Sequence, residues 1–231
     1  MKSTKKPIAL FENQEEVAKE LHSLIPNGYF HPEDSVVIAI SEAGVYFASY
    51  LSREEKIPMN IFLSEAIYAP NNSELMIAIV SETEEMVIHD LLVESFGIDK
   101  DYIYSEAHRQ YEESVLSYVY KYRKGIPLAN LEGKNIILVD ECIETGLTMT
   151  VALKSMIEMG VKSVYIAVPV LDRAIHQNLL TICDGVFSPH QIDNYISIEY
   201  YYKNKKSLNF NKLEEMIKNS GLLEVSKQTK E

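Results

Sequence analysis

Cysteine is scarce. Cys142 and Cys183 are the only two, too few for a disulfide framework and in keeping with a reducing compartment. Positive charge is short as well: 22 Lys and Arg stand against 34 Asp and Glu, for a net charge of −12. That balance argues against the basic footprint of a nucleic-acid binder or of a protein seated on an anionic membrane. No apolar run approaches the roughly 20 residues of a membrane span. Residues 1–10 carry lysines but no apolar core of a signal peptide. No G-x-G-x-x-G follows an early strand, so a dinucleotide-binding oxidoreductase fails at its first requirement. Repeats, low-complexity segments and domain linkers are also missing. A chain of 231 residues, 46% hydrophobic and 24% charged, reads as a globular protein expected in the cytoplasm.

What is present is an alternation of apolar strands and amphipathic helices. Residues 11–25 put Phe11, Val17, Ala18, Leu21, Leu24 and Ile25 on one helical face and stop at Pro26-Asn27-Gly28. Residues 36–40 read as a buried strand, 45–53 as the helix packed on it and 58–63 as a further strand. Residues 64–73 are the least regular stretch, with Pro70-Asn71-Asn72-Ser73 as a loop. Two strands follow at 75–80 and 86–89, then one long tyrosine-rich helix over 99–123. Beyond it come a strand at 163–171, a helix at 173–183, a strand at 185–188, mixed structure at 192–202 and a helix at 210–220. Short connections between alternating elements predict an α/β fold, a mostly parallel twisted sheet flanked by helices.

Residues 135–149 carry the densest signal. Ile136, Ile137, Leu138 and Val139 form a continuous apolar run, as in a strand buried on both faces of a parallel sheet. Asp140 and Glu141 follow at its carboxyl end, where open α/β sheets bind ligands. Thr145-Gly146-Leu147-Thr148 then opens a helix whose apolar residues recur at Val151, Leu153, Met156 and Ile157. Free N–H groups and the helix dipole make such an N-terminus a phosphate seat. Threonine hydroxyls and a glycine that admits close backbone approach suit the same use. Vicinal hydroxyls would satisfy the carboxylates and a monophosphate the turn, which together describe a ribose 5-phosphate.

The string Val139-Asp140-Glu141-Cys142-Ile143-Glu144-Thr145-Gly146-Leu147-Thr148 resembles the phosphoribosyl-pyrophosphate motif of the type I phosphoribosyltransferases. The order of the chain over residues 11–219 is similar to that of stand-alone bacterial phosphoribosyltransferase-like proteins. It has a loop like Ala69-Pro70-Asn71-Asn72-Ser73, a helix ending like Tyr122-Arg123-Lys124-Gly125, a strand like Ile166-Ala167-Val168-Pro169-Val170 and a closing Tyr201-Tyr202. The resemblance implies a single domain over 11–219, with a small hood from the N- and C-terminal parts and tails at 1–10 and 221–231. It implies that Asp140 and Glu141 hold the ribose hydroxyls as catalytic residues. Cys142, Ile143, Glu144, Thr145, Gly146, Leu147 and Thr148 would form the substrate-binding turn, and Ser41, Glu42, Ala43 and Gly44 the pyrophosphate loop. The implied ligand is phosphoribosyl pyrophosphate or a nucleoside monophosphate, with a nitrogenous base as acceptor and Mg²⁺ brought by the substrate. The resemblance allows a homodimer; neither nucleic acid nor membrane is expected as a partner.

The departures bear on chemistry. Relatives carry a basic residue and glycines where this chain has Ser41-Glu42-Ala43-Gly44, and an Arg-Lys pair at the places of Glu65 and Ala66. An Asp-Phe pair after the two tyrosines is replaced by Asn204-Lys205. Acids in place of cations repel a diphosphate, so a transferase and a non-catalytic binder of a ribose phosphate or nucleotide both stand as readings. Glu144 is either an acid that assists proton movement on a purine, as its position in hypoxanthine–guanine phosphoribosyltransferases implies, or a solvated loop residue. Tyr195, Tyr200, Tyr201 and Tyr202 either stack on a base or form a strand and an oligomer contact. Cys142 reads as a packed thiol rather than one activated by the helix N-terminus.

Overall fold

The computed structural model describes residues 11–193, 195–205 and 208–219; the tails expected at 1–10 and 221–231 lie outside them. From the N-terminus come α1 (Gln14–Ser23), β1 (Ser35–Ala39), α2 (Gly44–Glu55) and β2 (Met59–Ile61). An antiparallel unit follows: β3 (Ser64–Ala69), β4 (Asn72–Ser81) and β5 (Met86–Ile88), then α3 (Asp90–Ser95), α4 (Lys100–Gln110) and α5 (Leu116–Arg123). Next are β6 (Asn135–Val139), the two-residue β7 (Cys142–Ile143) and α6 (Leu147–Glu158). The chain continues through β8 (Ser163–Ala167), β9 (Val170–Asp172), α7 (Arg173–Leu179), β10 (Gly185–Phe187), β11 (His190–Ile192) and α8 (Phe210–Lys218). Among the described residues no helix is long and apolar enough to cross a membrane.

The central sheet is parallel throughout, in the order β10-β8-β6-β1-β2, with helices on both faces. β6 sits in the middle because it can be buried on both sides: Ile136 to Val139 are all 0% exposed. Its alternation sorts the residues. Ile137 and Val139 enter the core with Val17 and Leu21 of α1 and Ala48 and Leu51 of α2, while Ile136 and Leu138 enter the core under α6. Burying each such side chain contributes about 1.5–3 kcal/mol. A smaller parallel sheet, β11-β9-β7, continues three of these chains beyond the carboxyl edge.

Three expectations need correction. Residues 64–73 are regular: they form β3, a tight turn and the start of β4. Asn71 at φ 61° supplies the left-handed corner after Pro70. The polar sequence misled because the outer end of this hairpin stands in solvent, with the first three residues of β4 exposed. The strand expected at 163–171 is two strands in different sheets, broken between Ala167 and Val170 where Pro169 lies. The helix expected at 99–123 contains a π-helical turn, Tyr111–Val115. Before and within that turn Ile103, Ala107 and Val115 pack on the antiparallel sheet; after it Tyr122 packs into the main core.

A strap joins the N- and C-terminal parts of the described chain. Phe11 bridges in parallel to Tyr202, Lys203 Nζ reaches Glu12 at 2.6 Å, and a 3₁₀ turn spans Ile198–Tyr201. Beyond that single bridge the tyrosines do not form a strand: Tyr201 and Tyr202 belong to the strap and bury their side chains in the core, where the Tyr202 hydroxyl has no hydrogen-bond partner.

Candidate functional site

The two acids of the motif part company. Successive residues of extended chain point to opposite sides, and the alternation of β6 carries on past its end. Asp140 faces a cavity of about 210 Å³ lined also by Met76, Cys142, Ile143, Glu144, Thr145, Gly146, Thr148 and Met149. Its Oδ1 accepts from Ser41 Oγ at 2.5 Å and from the Glu141 amide at 2.7 Å. Burial outweighs these bonds and pushes the carboxyl up to about 6. Glu141 turns the other way, under the strap, and is 2% exposed. Lys205 Nζ lies 2.7 Å from one oxygen, and Gln14 Nε2 donates to the other at 3.4 Å. Burial pushes the Glu141 carboxyl up against the pull of that ammonium.

The turn after them is open, as an anion seat requires. Glu144 and Thr145 are exposed, the N-cap residue Gly146 has no side chain to cap α6, and the Leu147 N–H donates to Thr145 Oγ1 at 3.5 Å, a long bond that an anion can replace. Gly146 stands at φ +79°, and a Cβ there would lie 3.1 Å from Ile175 Cγ2. The positive φ favours glycine, and a Cβ would in addition need Ile175 to shift by a few tenths of an ångström. Ile143 pairs with Leu171 through β7, which fixes the turn to the sheet. Cys142 accepts from Tyr195 Oη at 3.3 Å, and burial pushes its thiol up to about 12, so the thiol is packed and not activated.

Across Thr148 and Met76 the cavity adjoins a larger one of about 400 Å³. Ser41, Glu42, Leu63, Ser64, Glu65, Tyr68, Tyr118 and Tyr122 are among its walls. Gly44 holds the loop before α2 against β6, because a Cβ would come within 2.7 Å of the Val139 carbonyl oxygen and 2.9 Å of Asp140 Cα. Each acid of this wall meets a tyrosine of α5. Tyr122 Oη donates to Glu42 Oε1, and contact with the Glu65 carboxylate pushes the Tyr118 phenol up to about 12. Residues 118 and 122, one helical turn apart, present both hydroxyls on one face. Beneath them the buried Arg123 pairs with the buried Glu82, whose other oxygen accepts from the Leu63 amide at 2.9 Å. Nε and Nη1 of Arg123 have no hydrogen-bond partner.

The structure thus brings Asp140, residues 142–146 and Thr148 together around one cavity, with Ser41 and Glu42 around its neighbour; Glu141, Ala43, Gly44 and the core residue Leu147 line neither. Sequence reasoning missed Lys205, Gln14, Tyr118, Tyr122 and Lys121. The one available hint was the Asn204-Lys205 departure.

Residues 9–205 match the family model of the phosphoribosyl transferase domain. Among solved structures, TT1426 from Thermus thermophilus is 22% identical with a TM-score of 0.72, over 90% of this chain and 97% of that one. A hypothetical protein from Neisseria gonorrhoeae with bound ppGpp is 14% identical at a TM-score of 0.45, over 91% and 96%. A hypoxanthine phosphoribosyltransferase from Staphylococcus aureus is 14% identical at 0.43, over 78% and 73%. The first likeness is one of fold; the lower scores add nothing to it.

Proposed function

Since the chain belongs to the phosphoribosyl transferase domain family, we propose that it binds phosphoribosyl pyrophosphate and transfers the ribose 5-phosphate group to a nitrogenous base. One observation carries the reading: a partly exposed carboxylate and a helix N-terminus closed only by a long bond to Thr145 line a single cavity. The N–H groups of residues 144–148 take the 5-phosphate. Asp140 accepts from a ribose hydroxyl and orients the sugar, so that binding energy at the phosphate serves the breaking bond at C1. Members of the family generally use Mg²⁺. The Asp140 carboxylate fits it, because this ion takes one or two carboxylates and completes its shell with phosphate oxygens and water. When bound, it would neutralise charge on the departing diphosphate.

A second reading rests on Lys205. Its ion pair with Glu141 occupies a carboxylate that the motif assigns to the sugar, which favours a protein that binds a ribose phosphate or nucleotide without transfer. Calorimetry with ribose 5-phosphate and inorganic phosphate tests the shared part of both readings. Asp140→Asn should weaken ribose 5-phosphate about tenfold, the scale of a charged hydrogen bond, and leave inorganic phosphate unchanged. Glu141→Gln should change neither by more than about twofold, because its carboxylate is already engaged. Equal losses for both ligands in Asp140→Asn would refute the assignment. Formation of a nucleotide from phosphoribosyl pyrophosphate and a panel of bases then separates transferase from binder.

A further inference from the structure

The wall that should meet diphosphate has no Lys or Arg among its lining residues and two carboxylates, Glu42 and Glu65. A cation nevertheless stands at its edge, supplied by a different element. Lys121 of α5 places Nζ 3.3 Å from Glu42 Oε1 and donates to Tyr122 Oη at 2.8 Å. The ammonium also lies 4.6 Å from the ring centre of Tyr122 and 4.8 Å from that of Phe210. Resting on the proposed function, we propose that Lys121 is the residue that grips the diphosphate, in place of the basic residue absent from residues 41–44.

The energetics favour an exchange of partners. The Lys121 side chain is 39% exposed and that of Glu42 58%, so their pairing is a solvated one of little net worth. A diphosphate offers more charge, and charge-assisted bonds to it are stronger than that pairing. An ammonium has three donors; Tyr122 and Glu42 engage two. The phenol of Tyr122 also donates to Glu42, so the carboxylate keeps a partner when the lysine leaves. The platform beneath is firm, because Arg123, the next residue but one, is buried against Glu82. Specificity follows: Glu42 competes with the ligand for Lys121, and only a multiply charged anion displaces it.

The test titrates magnesium pyrophosphate and, separately, ribose 5-phosphate into the wild type, Lys121→Gln, Glu42→Gln and the double variant. Lys121→Gln should weaken pyrophosphate by about tenfold or more and leave ribose 5-phosphate within about twofold, which also reports that the variant is folded. Glu42→Gln should tighten pyrophosphate several-fold, and most of that gain should vanish in the Lys121→Gln background. Pyrophosphate binding that ignores Lys121, or a Glu42→Gln gain of equal size in both backgrounds, overturns the inference. So does a wild type that takes ribose 5-phosphate and no pyrophosphate. A wild type that fails to bind ribose 5-phosphate overturns the proposed function and this inference with it.

Discussion

The two walls of the site are built by opposite means. The ribose-phosphate wall is one continuous segment, β6 through the first turn of α6, and its working parts are backbone N–H groups, a glycine and one carboxylate. The facing wall gathers the side chains of Glu42, Glu65, Tyr118 and Tyr122, backed by the Glu82–Arg123 pair, which no local segment unites. The first wall needs little but room and backbone shape. The second holds acids that only partners from α5 make tolerable. A wall made of backbone is vulnerable to an added carbon atom, and a wall made of charge pairs to a removed charge.

The largest effect should come from the second kind. Glu82→Ala leaves Arg123 buried with no carboxylate beside it, and breaking such a pair costs about 3–5 kcal/mol. Urea denaturation would measure it; a loss under about 1 kcal/mol would mean that water reaches the guanidinium and that the pair anchors nothing. Next comes the added carbon. Gly44→Ala drives a Cβ into the backbone of β6 and should cost about 1–3 kcal/mol, with weaker ribose 5-phosphate binding as Ser41 is pushed off Asp140. Unchanged stability and binding would show that the loop moves freely over the strand, and the contrast between the walls would blur.

The smallest effect is a pH dependence. With its folded carboxyl pushed up to about 6 from 3.8, Asp140 holds a proton more tightly in the native state than in the unfolded chain. Its contribution to stability is therefore fully present below the unfolded value and is lost as pH rises through about 6. Asp140→Asn should remove that slope, worth about 1–2 kcal/mol once partial exposure is allowed for. Denaturation at pH 4 and pH 7.5 would check it. A variant with the same pH dependence as the wild type would assign the slope to other groups.

The same contrast explains how much could be read in the sequence. β6, its acids and the turn were legible because all their information is local: an apolar run, two carboxylates and Thr-Gly-x-Thr within one short segment. The parallel sheet followed from alternation. The division of labour between Asp140 and Glu141 was not legible, since it depends on Lys205 and Gln14 arriving from both ends of the chain. Nor was the pairing of Tyr118 and Tyr122 with acids far away in the chain, because helical spacing alone gives tyrosines the look of rim packing. Residues 64–73 were lost for a plainer reason: an exposed hairpin tip has the composition of a loop.

The π-helical turn Tyr111–Val115 sets a phase between the two halves of this rod. One residue corresponds to about 100° of helix rotation. Regularising the turn by a single deletion would swing the hydroxyls of Tyr118 and Tyr122 away from Glu65 and Glu42, while leaving the contacts of Ile103 and Ala107 in place. The turn thus works as an indexing joint: the half that grips the hairpin and the half that furnishes the pocket can each drift in sequence without dragging the other out of alignment. In lineages that share the joint, insertions and deletions should be rarer across these five positions than in the connections on either side.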